Sequence, residues 1–149
     1  MPVRDARLDD LPTIVEFNVR LAEESENKRL DGCVLERGVR RALASRDMCR
    51  YFVAEERGAV VGQTMVTYEL TDWRDGVLWW IQSVYVQPEA RGRGVFRSLY
   101  EHIERLARAD PEARGLRLYV EHHNETALAT YERLGMRPSG HLLYEIDWS

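Results

Sequence analysis

No stretch of about 18 consecutive apolar residues occurs in this 149-residue chain, so nothing in it reads as a membrane-spanning helix. The N-terminus, MPVRDARLDD, lacks the apolar segment of a signal peptide. Cysteine is scarce. Cys33 and Cys49 are the only two, and they match no metal-ligand spacing. Two thiols without a leader predict a reducing, cytoplasmic setting. Positive charge is not in excess either, with 21 Lys+Arg against 25 Asp+Glu and a net charge of −4. That balance argues against a general nucleic-acid binder, which needs a basic field. Repeats, low-complexity tracts and linkers are missing, and the length suits one domain, residues 1–149.

What is present is ordinary globular composition, 44% hydrophobic and 31% charged. Residues 2–7 read as a short strand. Residues 8–24 read as a helix, with Asp9 or Asp10 to cap it and Pro12 in its first turn. Residues 25–33 read as a loop and 35–45 as a second helix, weakened by Gly38. Strand-like runs at 49–56 and 59–70 flank Arg57-Gly58, a hairpin signal. A polar turn at 71–76 leads to a long aromatic and β-branched strand, 77–87, which Pro88 ends. A helix follows with Val95, Leu99, Ile103 and Leu106 on one face. Residues 115–122 read as a strand, and 124–135 as a helix with Asn124 as N-cap and Gly135 as a left-handed stop. Residues 136–148 read as a final strand or hairpin. The mixture predicts an α/β fold, with a partly antiparallel sheet flanked by about four helices.

The most informative stretch is PEARGRGVFRSLYEHI, residues 88–103, where Gly92 and Gly94 alternate with Arg91 and Arg93 at the mouth of a helix. A helix N-terminus leaves N–H groups unpaired and carries partial positive charge, so anions bind there. Glycines let a ligand approach the backbone. The pattern reads as a pyrophosphate cradle, although a tight turn would also use glycine. It is not a P-loop, because GxxxxGK[ST] is absent. It is not a dinucleotide fingerprint, because Arg97 stands at the third glycine position. A third pattern, [Q/R]xxGx[G/A], runs Arg91-Gly92-Arg93-Gly94-Val95-Phe96.

With that pattern the chain resembles the GNAT acetyltransferase superfamily. VYVQPEARGRGV is similar to the family's strand-to-helix segment, and NETALATYERLGM to its second signature. The resemblance implies a GNAT-like sheet and acetyl-CoA as acyl donor. It implies an N-acetyltransferase in which an amine attacks the thioester directly. Cofactor contacts would fall on Val84, Tyr85, Val86, Arg91, Gly92, Arg93, Gly94, Val95, Phe96, Asn124 and Tyr131, with strand 78–87 splayed from 115–121. Phe96 departs from the family's Gly or Ala. Its ring would either tilt away from the phosphates or narrow the cradle.

Tyr131 matches the family's tyrosine, and a phenol can protonate the departing thiolate. Equally, Ala127, Leu128, Tyr131 and Leu134 form an ordinary amphipathic stripe. Asn124 either caps its helix or contacts the cofactor. Some family members carry a basic glutamate on the strand before the cradle. Here that strand reads Leu78 to Ser83 without a carboxylate, leaving Glu69, Glu121 and His122 as substitutes. Tyr68, Trp73, Trp79 and Trp80 either line an acceptor pocket or form sheet core. Glu23, Glu24 and Glu26 either attract a cation or form a solvated face. His122-His123 lack metal-pair spacing, and no metal is inferred. The partner expected is a small-molecule or peptide amine, with neither nucleic acid nor membrane, and a homodimer is compatible with the family. The competing reading is a non-catalytic acyl-CoA-binding or regulatory domain.

Overall fold

A computed structural model describes residues 1–149. It divides into two units, Met1–Leu118 and Tyr119–Ser149.

The first unit is built on a five-stranded sheet in the order β1-β2-β3-β4-β5. The strands are β1 (Val3–Asp5), β2 (Cys49–Glu56), β3 (Ala59–Thr71), β4 (Gly76–Val86) and β5 (Ala113–Leu118). The first four pair antiparallel, whereas β4 and β5 are parallel. A parallel pair needs a crossover. Helix α3 (Val95–Ala109) provides it. The β2–β3 hairpin turns at Arg57-Gly58, with φ of 53° and 79°. Two successive positive φ angles match the twist of a two-residue hairpin, as that dipeptide predicts.

Strand period places the helices. Tyr51 packs with Leu11 and Ile14 of α1 (Leu11–Glu26) and Val39 of α2 (Gly32–Ala44). Its neighbour Phe52 faces the other way and meets His102 of α3 edge-on, with ring centroids 5.2 Å apart. Thus α1 and α2 cover one face and α3 the other. Ile14, Phe52, Leu99 and Ile103 are fully buried between these layers.

Three elements differ from the sequence reading: β5 stops at Leu118 rather than running to residue 122, α1 opens at Leu11 behind a 3₁₀ turn at Leu8–Asp10, and α2 takes in residues read as loop. Asp31 and Gly32 are not loop. The Asp31 carboxylate accepts from the N–H groups of Cys33 (2.9 Å) and Val34 (3.1 Å), so α2 starts at Gly32. Asp10, one of the two residues expected to cap α1, stands at its N-cap, but its carboxylate makes no cap bond to α1 and accepts from the Arg7 N–H (2.7 Å) and from both Nη atoms of Arg4. The Arg4 guanidinium holds that carboxyl below the usual range.

The second unit contains α4 (Glu125–Arg133). Asn124 caps it by accepting from the Ala127 N–H at 3.1 Å. Gly135 (φ 92°) ends it, with Gly135 N–H donating to Glu132 and Met136 N–H to Tyr131. That pair of bonds is the Schellman stop. No strand forms over residues 136–148, where no ladder is present for it to join. Leu142, Leu143, Tyr144, Ile146 and Trp148 are exposed there.

Candidate active site

The site expected at the end of β4 is shaped by where its hydrogen-bond ladders stop. Pairing with β5 runs from Val77 to Ile81 and ends at Ile81↔Leu118. Beyond it, Gln82–Val86 pair with β3 alone. The Gln87 N–H donates to Val61 on β3 at 2.9 Å. With a two-residue period, Val86 and Val84 therefore turn their backbone groups away from β3, towards the edge that β5 has left. Arg91 reports the same direction from outside, since its Nε donates to the Val86 carbonyl at 2.9 Å.

The β3–β4 register also shifts here. Gly62↔Val86 and Gln63↔Tyr85 are followed by Met65↔Gln82. Thr64 alone therefore faces two residues, Ser83 and Val84, in a β-bulge. Ser83 has φ of 53°, in the left-handed region that a residue with a side chain seldom enters.

Next along the chain, Pro88–Ala90 form a short 3₁₀ turn and residues 91–94 lead into α3. Gly92 (φ 78°) and Gly94 (φ 81°) hold left-handed conformations, and Gly94 is the N-cap without any side-chain cap bond. A Cβ placed on either glycine would meet nothing within 4 Å. The glycines thus leave open space directly over the backbone at a helix N-terminus. Val95 is buried and packs inward. A Cβ on Gly62 of β3 would come within 2.7 Å of its Cγ1, so Gly62 lets the first turn of α3 lie close on the sheet.

The arginines are not idle charges. Arg91 pairs with Glu24 of α1 at 2.7 Å and lies over the Tyr85 ring at 5.5 Å. Arg93 pairs with Glu56 at 2.7 Å, and Arg97 with Glu101 at 2.7 Å. Tyr85 is buried against Phe17, with ring centroids 5.0 Å apart. Its side chain is therefore core, and by the same two-residue period its backbone groups turn towards Gln63 of β3, so Tyr85 supports the edge by packing. The Phe96 ring lies along its own helix beside Tyr100, with centroids 6.3 Å apart.

Val84, Tyr85, Val86 and Arg91–Phe96 thus come together at one end of β4. Glu69 does not join them. It stands opposite Leu78 and is tied to Arg117 at 3.1 Å. Five strand positions separate Leu78 from Ser83, about 17 Å at the usual rise. The aromatics do not form one pocket. Trp79 is buried edge-on to Tyr68 (5.4 Å), its neighbour Trp80 lies on the opposite face beneath Arg117, and Trp73 is exposed at the hairpin tip. Glu24 is the one member of the acidic group that the structure brings to the cradle, through Arg91.

In the second unit, Tyr131 lies on α4 and burial pushes its phenol above its ordinary value. Asn124 is committed through Oδ1 to its cap. Glu121 accepts, through its carbonyl, from the Asn124 N–H at 3.1 Å, which closes the turn before α4.

Gln63, Thr64 and Ser83, which meet at the bulge, lie outside every sequence motif. Only an interruption of alternation between Gln63 and Thr64, two polar residues in an apolar strand, marks them.

The model of the acetyltransferase (GNAT) family matches residues 13–136. A possible acetyltransferase from Clostridium difficile 630 is 44% identical, with a TM-score of 0.92, over 98% of this chain and 96% of that one. A probable acetyltransferase is 22% identical, with a TM-score of 0.86, over 100% and 99% of the two chains. A predicted acetyltransferase from Clostridium acetobutylicum, solved with acetyl-CoA, is 18% identical, with a TM-score of 0.78, over 97% and 95%. The last two likenesses are of fold.

Proposed function

The chain belongs to the acetyltransferase (GNAT) family, and from that premise we propose that it transfers the acetyl group of acetyl-CoA to a primary amine. The observation that carries the reading is the open edge of β4 running into an uncapped helix N-terminus with clear space over Gly92 and Gly94. An extended pantetheine arm would lie along the Val84–Val86 edge, and the pyrophosphate would lie over Gly92–Val95. Acetyl-CoA supplies an activated carbonyl and a thiolate leaving group.

The chain's own groups then have definite tasks. The backbone N–H groups of Val84 and Val86 hold the acyl carrier at fixed orientation, which lowers the entropic barrier to attack. The N–H groups opening α3 meet the phosphate charge. Arg91 and Arg93 assist by leaving their carboxylates. Exposed ion pairs contribute only about 0–1 kcal/mol, less than the roughly 1.5–3 kcal/mol of a hydrogen bond to a charged group. Tyr131, a phenol that is protonated at neutral pH at its ordinary value of about 10 and that burial pushes higher still, donates a proton to the thiolate. Asn124 contributes through its Nδ2, since Oδ1 is used by the cap. Glu69 stands opposite Leu78, five strand positions from Ser83, so Glu121 and His122 are the groups we carry forward as candidates for the base that takes a proton from the incoming ammonium.

The test is CoA release from acetyl-CoA across a panel of small-molecule and peptide amines. Amine-dependent release, with a new amide in the product, supports transfer. Tight binding of acetyl-CoA without release to any amine replaces the enzyme reading with that of an acyl-CoA-binding domain.

A further inference from the structure

Gln63 and Thr64 are adjacent polar residues on a central strand, and both are 0% exposed. Burying an amide or a hydroxyl is costly unless it is hydrogen-bonded. Their bonds go to two consecutive carbonyls of β4. Gln63 Nε2 donates to Ser83 O at 3.1 Å, and Thr64 Oγ1 donates to Gln82 O at 3.0 Å. These are the carbonyls of the bulge, where the ladder's regular backbone pairing is interrupted.

They act from opposite sides of the sheet. Gln63 is in register with Tyr85, which meets α1 through Phe17. Thr64 is in register with Phe52, which meets α3 through His102. Packing alone does not account for glutamine at position 63. Its Oε1 is buried with no protein donor, a cost that an apolar side chain of similar size would avoid. The strained φ of 53° at Ser83 needs a surrounding structure that over-determines it, and the bonds from Gln63 and Thr64 to the Ser83 and Gln82 carbonyls are part of that structure.

We propose that Gln63 and Thr64 are positioning residues that hold the β4 bulge, and that the bulge in turn aims the Val84 and Val86 N–H groups at the acyl carrier. The proposal rests on the acetyl-CoA reading above. Neither residue touches the reacting atoms; each acts through a carbonyl and the backbone beyond it.

The test compares Thr64→Val, which keeps the volume and removes the donor, with Thr64→Ser, which keeps the donor and removes a methyl. Gln63→Met serves as a second donor deletion. The first readout is the backbone amide spectrum of the ligand-free protein. Thr64→Val and Gln63→Met should displace or broaden the Ser83, Val84 and Val86 signals, while Thr64→Ser leaves them near wild type. The second is the acetyl-CoA Kd, expected to rise about tenfold in the donor deletions and to stay within about twofold in Thr64→Ser. A purely structural role would lower Tm without moving the Kd of the folded protein. Unmoved amide signals in both donor deletions overturn the proposal, whatever the ligand does. Moved signals with an unchanged Kd overturn its link to the acyl carrier. Displaced signals in a protein whose wild type binds no acetyl-CoA overturn the acetyl-CoA reading, and the ligand half of the proposal with it.

Discussion

Replacing Gly94 by alanine separates backbone strain from ligand contact. Gly94 has φ of 81°, and a Cβ there meets nothing within 4 Å. In the free protein the substitution therefore carries only the torsional cost of a left-handed residue, about 1–2 kcal/mol. In a domain of this size that lowers Tm by about 2–8 °C. The ligand changes the balance. At about 100 times its Kd, acetyl-CoA should stabilise wild type by roughly 2.7 kcal/mol. If the methyl group blocks one charge-assisted backbone bond to phosphate, of about 1.5–3 kcal/mol, affinity falls at least about tenfold. The same ligand concentration is then at most about ten times Kd, and stabilisation falls to about 1.4 kcal/mol or less. Thermal denaturation with and without acetyl-CoA reads both numbers. The expected result is a lowered free-protein Tm and a ligand-induced shift at most about half that of wild type. A lowered Tm with the full ligand shift would refute the placement of phosphate over Gly94.

Other consequences follow from single observations. Tyr131→Phe should cut turnover at least about tenfold while changing the acetyl-CoA Kd little, read by steady-state kinetics and calorimetry. Gly62→Ala should cost about 1–3 kcal/mol in urea unfolding, because its Cβ would press on Val95 at 2.7 Å, and should also weaken acetyl-CoA binding by shifting the start of α3. Asp10 titrates below the usual range because Arg4 hydrogen-bonds it. Its contribution is therefore present above the unfolded value of about 3.9 and is lost as pH falls through the depressed folded value. Asp10→Asn should flatten the acid limb of stability against pH, measured by urea unfolding from pH 6 downwards to about 2.

Local chemistry was the legible part of this sequence. Arg57-Gly58 announced its hairpin, and Asn124 with Gly135 both ends of α4, because each depends on a few neighbouring residues. Asp31 carried an equally local signal, yet a following glycine made it look like a turn rather than the cap of α2. Trp79 and Trp80 could not share a pocket in one strand, as the two-residue period requires. What lay out of reach was register. The end of the β4–β5 ladder at Ile81, and the bulge opposite Thr64, depend on pairing between strands distant in sequence. Gln63 and Thr64 look like unwelcome polar residues until the two carbonyls they serve are seen. The arginine partners are likewise long-range: Glu24 is 67 residues from Arg91, and Glu56 is 37 from Arg93. Charge counting along the chain therefore overstated the positive field of the cradle.

The most direct test of the central claim is amide hydrogen exchange with and without acetyl-CoA, resolved by residue over β4 and the start of α3. The account predicts new protection at Val84, Val86 and the amides from Gly92 to Arg97, with Val77–Ile81 unchanged because β5 already pairs them. Binding that leaves Val84, Val86 and the α3 N-terminus exchanging at their free-protein rates would contradict it.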